Sequence, residues 1–152
     1  MTSLELSLNN PGDLRPGGGV TYEGEVVPSS NPGFRQFTDL FLGFRAMASD
    51  LYHYIVHSGY DTIEKIINVY APAGDGANNP DSYINFVVKN SGIPKDQVLT
   101  KDDFSSSYLG LEEPNMLKII RAMATDEDGV KPNETEMLKG YDLFLKDEGL
   151  PS

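Results

Sequence analysis

The chain has 152 residues and no cysteine, so one domain accommodates it and neither a disulfide framework nor a thiolate metal site is available. Asp and Glu outnumber Lys and Arg by 23 to 12, a formal net charge of −11, which argues against a nucleic-acid partner because backbone phosphates demand clustered cations. Hydrophobic content of 39% suits a globular domain, and no apolar run approaches the ~20 residues of a membrane span, so no membrane insertion is expected. The opening MTSLELSLNN lacks both the basic start and the apolar segment of a signal peptide.

Residues 1–36 are turn-rich, with Asn9-Asn10-Pro11-Gly12, Pro16 before three glycines, and Pro28 to Gly33. Between these, Val20 to Val27 alternates and predicts one or two short strands, or a small hairpin bent at Gly24. A flexible N-terminal arm is the bland alternative. From Thr38 to Ser58, Leu40, Phe44, Met47, Leu51 and Ile55 recur by three and four, predicting the longest helix, capped by Thr38 or Asp39 and closed at Gly59. Arg45 lies one position off that stripe, at the edge of a cleft or turned to water. His53 and His57 have the spacing of a helical metal pair, but no third ligand accompanies them, and no metal is assigned.

Asp61 with Glu64 forms a capping-box pattern for a helix carrying Ile63, Ile66, Ile67 and Tyr70, which Pro72 stops. Asn79 and Pro80 are the N-cap and first-turn proline of the next helix, with Tyr83, Ile84, Val87 and Val88 inward and Asn90 to Gly92 at its end. The intervening loop gathers Tyr70, Asn78, Asn79 and Tyr83, a combination that suits a sugar and equally a well-capped turn. One helical turn is expected over Ile93 to Val98, then a polar link over Thr100 to Ser107. A helix over Leu109 to Thr125 follows, tolerating Pro114 in its first turn, and a last helix begins at the Asn133–Glu136 pair. The fold class is mainly α: one domain over 1–152, a turn-rich segment 1–36 with a small β element, and a helical body 37–150.

No nucleophile elbow, P-loop or dinucleotide fingerprint is present, which leaves carboxylate chemistry. Asp126-Glu127-Asp128 ends an apolar helix before a glycine turn. A glutamate half-buried there, flanked by like charges, keeps its proton and can donate it to a glycosidic oxygen. The same triplet also reads as a solvated acidic turn, and its spacing breaks the EF-hand pattern for calcium.

Taken in order, Asn9 to Arg15, Phe34 to Phe37, Gly43 to Ala46, Thr62 to Ile67, Tyr70-Ala71-Pro72, Asn78-Asn79, Tyr83-Ile84 and Glu127-x-Gly129-Val130 resemble a family of virion structural proteins of phages and prophages with lysozyme-like, glucosaminidase- or transglycosylase-like motifs. The resemblance implies a compact lysozyme-like helical domain in the virion, acting at the host cell envelope. Its implied partners are other virion proteins and peptidoglycan glycan, with no cofactor. It also implies a cleft lined by Asn10, Arg15, Tyr70, Asn79 and Tyr83, with Glu127 as catalytic acid. In lysozyme-like enzymes that glutamate precedes the Asn-Pro-Gly segment; here Glu127 would reach it from the far end of the chain, as in a circular permutation. Departures stand at Asp13, where the family has Asn, at Tyr70, where Trp is usual, and at Asp126 and Asp128, in place of His and Asn. A single acid suffices if a glycan hydroxyl attacks; hydrolysis calls for a second carboxylate, for which Asp13 is the candidate. The alternative is an architectural virion or tail protein that keeps the fold without the chemistry.

Overall fold

The computed structural model describes residues 7–72, 79–105 and 112–151. Within them lie α1 (Leu40–Tyr52), continued by a π-helical turn (His53–His57), α2 (Ile63–Tyr70), α3 (Pro80–Ser91), a 3-10 turn (Lys101–Phe104), α4 (Asn115–Asp128) and α5 (Glu134–Glu148). The main pairings are α1 on α5, α3 on α4, and α2 on α3. No helix among the described residues is long and apolar enough to cross a membrane.

The apolar spacing produces these helices, and burial holds them together. Phe44, Met47 and Leu51 of α1, Ile63, Ile66 and Ile67 of α2, Met116, Ile119, Ile120 and Met123 of α4, and Met137 and Phe144 of α5 form one continuous core. Each such side chain contributes roughly 1.5–3 kcal/mol on leaving water. Gly140 lets α5 approach α1, because a Cβ there would strike the Phe41 carbonyl and the Arg45 amide.

Several sequence expectations are corrected. Val20 to Val27 forms no strand or hairpin; the region holds one isolated antiparallel bridge, Glu25 to Phe37. Glycine and proline on both sides leave too few consecutive residues to build a ladder. The long helix begins at Leu40 with Asp39, one of the two expected caps, in the N-cap position but without a side-chain cap bond, and its last turn widens into the π form. The cap of α2 is Thr62, whose hydroxyl accepts from the Lys65 amide at 3.1 Å, while Asp61 pairs with the Lys65 ammonium. No helical turn forms over Ile93 to Val98; the short turn lies at Lys101–Phe104, where Thr100 and Asp103 close a capping box. Helix α4 starts after Pro114, which is its N-cap rather than a first-turn residue, and runs through Asp128, so the acidic triplet is helical. Leu109 and Leu111, at the expected start of that helix, and Asn78 lie outside the described residues.

Residues 8–37 wrap the helices with a single bridge as their regular structure, and one turn within them is tightly specified. Gly43 of α1 admits the loop, since a Cβ there would collide with the Asn9 carbonyl and crowd Pro11. The buried Asn10 side chain then closes the turn: its Nδ2 donates to the Leu14 and Arg35 carbonyls, both at 2.9 Å, and its Oδ1 accepts from the Leu14 amide at 2.8 Å. Asn9 and Asp13 on either side adopt positive φ of 54° and 51°, a region uncommon for residues other than glycine but tolerated best by Asn and Asp.

Candidate functional site

That turn delivers Asp13 to the end of α4. Helix α4 closes on Gly129, which takes the left-handed conformation at φ 77°, and Glu127 stands in its last turn. The Glu127 and Asp13 side chains are directly hydrogen-bonded. Two adjacent carboxyl groups cannot both ionise cheaply, so they share a proton. Burial is the main force on both: it raises Asp13 to about 6 and, reinforced by the Asp13 charge and hydrogen bond, raises Glu127 to about 9. Glu127 is therefore the protonated donor and Asp13 the acceptor, and Arg15 helps to keep Asp13 ionised. The second Asp13 oxygen, Oδ1, is buried and accepts no hydrogen bond from a described residue.

Two tyrosines support the pair. Tyr83 of α3 is buried close enough to Glu127 for the two to influence each other's proton, and its hydroxyl donates to the Met123 carbonyl at 3.4 Å. Tyr70, the last residue of α2, keeps part of its ring at the surface while its hydroxyl is enclosed and donates to the Gly12 carbonyl. Burial raises both phenols well above their ordinary range, with Glu127 adding to the effect. Both remain protonated donors at neutral pH.

Beside the pair opens a cavity of about 490 Å³, walled in part by Asp13, Arg15, Tyr22, Asp50, Tyr54 and Tyr70. Glu127 is not in this wall; it reaches the cavity through Asp13. The chain thus brings together Glu127, Asp13, Tyr70, Tyr83 and Arg15. Asn10 is wholly enclosed and its amide is used up by the turn, so it acts by holding Asp13 in place. Asn79 is exposed and its Oδ1 caps α3, accepting from the Ser82 amide at 3.2 Å. Arg15 is exposed, its guanidinium 5.6 Å from the centre of the Phe34 ring.

The sequence reading missed the far wall, Tyr22, Asp50, His53 and Tyr54. One signal was available: Asp50 is the only acidic residue between Leu40 and Ser58, three positions after Met47 and four before Tyr54, on the edge of the apolar stripe.

These features define a mainly helical protein with a proton-sharing carboxyl pair at the rim of an aromatic cavity of mixed charge. No family model matches the chain. Over 140 residues it is 34% identical to Protein P5 of Pseudoalteromonas phage PM2, with 90% of this chain and 79% of that protein covered. The chain belongs to the family of that bacteriophage protein.

Proposed function

We propose that this phage protein is a virion component with a lysozyme-like domain that cleaves peptidoglycan glycan at the host envelope, with Glu127 as the general acid. The observation that carries the reading is the Glu127–Asp13 pair, in which a buried carboxyl group retains its proton at neutral pH beside a cavity of glycan size. Support for the phage setting comes from the kinship with Protein P5 of phage PM2.

The geometry of the pair favours one route over another. Retaining glycosidases hold their two carboxyl groups roughly 5–5.5 Å apart and inverting ones roughly 6.5–9.5 Å apart, leaving room for a sugar or a water between them. Direct hydrogen bonding between Glu127 and Asp13 leaves no such room. Asp13, which lines the cavity, instead relays the shared proton. As the glycosidic bond breaks, Asp13 gives a proton to the leaving oxygen while Glu127 passes its own to Asp13. A hydroxyl of the same glycan adds to the anomeric carbon and returns its proton to the pair through Asp13, as in lytic transglycosylases.

The test is release of soluble fragments from purified peptidoglycan by the wild type and by Glu127→Gln, run in heavy-oxygen water. Release by the wild type, reduced on the order of 10²–10⁴-fold in the variant, is expected. No heavy oxygen should enter the products, because water does not attack. Equal release by both proteins removes Glu127 from the chemistry. No release by either leaves the second reading, an architectural virion or tail protein, which is favoured by the use of the Asn10 and Asn79 amides in the fold itself.

A further inference from the structure

The far wall of the cavity carries a carboxylate that the chemistry above does not use. Asp50 lies in the last turn of α1, largely enclosed, and burial lifts it to about 6 despite the opposing charges of Arg35 and His53. Its carboxylate accepts no hydrogen bond from a described residue. Half-buried on the cavity wall, that carboxylate is an acceptor open to whatever fills the cavity.

Arg35 is the nearest candidate partner, yet its donors are committed elsewhere. Its Nε donates to the Arg15 carbonyl at 3.1 Å, Nη1 to the Val20 carbonyl at 2.8 Å and to Glu25 at 2.5 Å, and Nη2 to the Gly17 carbonyl at 2.9 Å. Its guanidinium also stacks 4.9 Å from the centre of the Tyr22 ring. The wall sets Asp13 and Asp50 against Arg15 and an Arg35 already paired with Glu25, a balance with no cationic excess to draw an anionic occupant.

The remaining wall has a consistent character. Tyr22, Tyr54 and Tyr70 present aromatic surface, and Ser49 and His53 add small polar groups. His53 and Tyr54 open the π-helical turn, a one-residue widening of the helix that recurs at functional sites. Aromatic faces suit the C–H face of a pyranose, and an acceptor without a protein donor suits a sugar's hydroxyl or acetamido N–H groups.

We infer that Asp50 is a substrate-binding residue: its carboxylate accepts hydrogen bonds from a neutral N-acetylglucosamine-type sugar seated in the cavity beside the Asp13–Glu127 pair. The inference rests on the glycan reading above. It selects the uncharged sugar of the polymer, not the acid-bearing one, for this position.

The test measures binding of an N-acetylglucosamine tetramer to the full chain by calorimetry and by amide shifts in NMR, independently of cleavage. The wild type and Asp142→Asn, which removes a charge paired with Lys146 away from the cavity wall, should bind alike. Asp50→Asn should weaken binding on the order of 10-fold or more, the range of a hydrogen bond to a charged group. The amides of Ser49, His53 and Tyr54 should shift on titration of the wild type, a readout that needs no variant to fold. Unweakened binding by Asp50→Asn, or shifts confined to other residues, overturns the assignment. Cleavage of peptidoglycan without any tetramer binding leaves the catalytic reading standing and ends this one. Asp50-dependent binding without cleavage does the reverse.

Discussion

At the scale of single residues, the chemistry turns on where one proton resides. Glu127 in the folded chain holds its proton up to about 9, against an ordinary value of 4.5. Between those limits the native state binds more protons than the unfolded one, so stability falls as pH rises. The contribution is full below about 4.5 and is lost as pH climbs through about 9. Thermal melts at constant ionic strength should therefore show the wild type losing more stability than Glu127→Gln between about pH 5 and about pH 9. Asp13 supplies the largest influence on Glu127 after burial. Asp13→Asn should accordingly move the Glu127 titration to lower pH, read from its carboxyl carbon by NMR. An unmoved titration would rule out the direct pairing.

At the scale of elements, local spacing was a good guide to where helices lie and a poorer one to how they begin. The caps at Asn79 and Asn133 and the closures at Gly92 and Gly129 follow from residues within one turn of each other. At α2 the expected cap was Asp61, but its neighbour Thr62 holds the position, its backbone extended at φ −135° and ψ 159° and its hydroxyl on the Lys65 amide. Thr62→Ala should cost about 1 kcal/mol in chemical denaturation. Asp61→Ala, which loses only the partly exposed pair with Lys65, should stay within about 0.5 kcal/mol. The expected hairpin at Val20 to Val27 failed for a reason outside the segment. Arg35 takes the Gly17 and Val20 carbonyls, and the Val26 amide to Gln36 and the Thr38 amide to Gly24 make only the single Glu25–Phe37 bridge, so the segment pairs with residues 36–38 and not with itself.

At the scale of the whole molecule, the site exists because two close approaches bring distant segments together. Gly43 seats the N-terminal turn on α1, and Gly140 seats α5 on the same helix. Gly43→Ala drives a methyl group into the Asn9 carbonyl, and a loss of about 1–3 kcal/mol is expected. Because that backbone carries Asp13, the variant should also lower the Glu127 titration, whereas Gly140→Ala should destabilise without changing it. Melting curves and the carboxyl titration together separate these outcomes.

Helix positions, the mainly α class, the acidic charge balance and the suspicion attached to Glu127 could be read from the sequence alone, because each depends on composition or on spacing within a few residues. The tertiary structure alone decided that Glu127 meets Asp13, that Asn10 and Asn79 serve the backbone, and that Asp50 faces a cavity. Proton affinity and access depend on which surfaces exclude water, and those surfaces come from segments that share no local pattern.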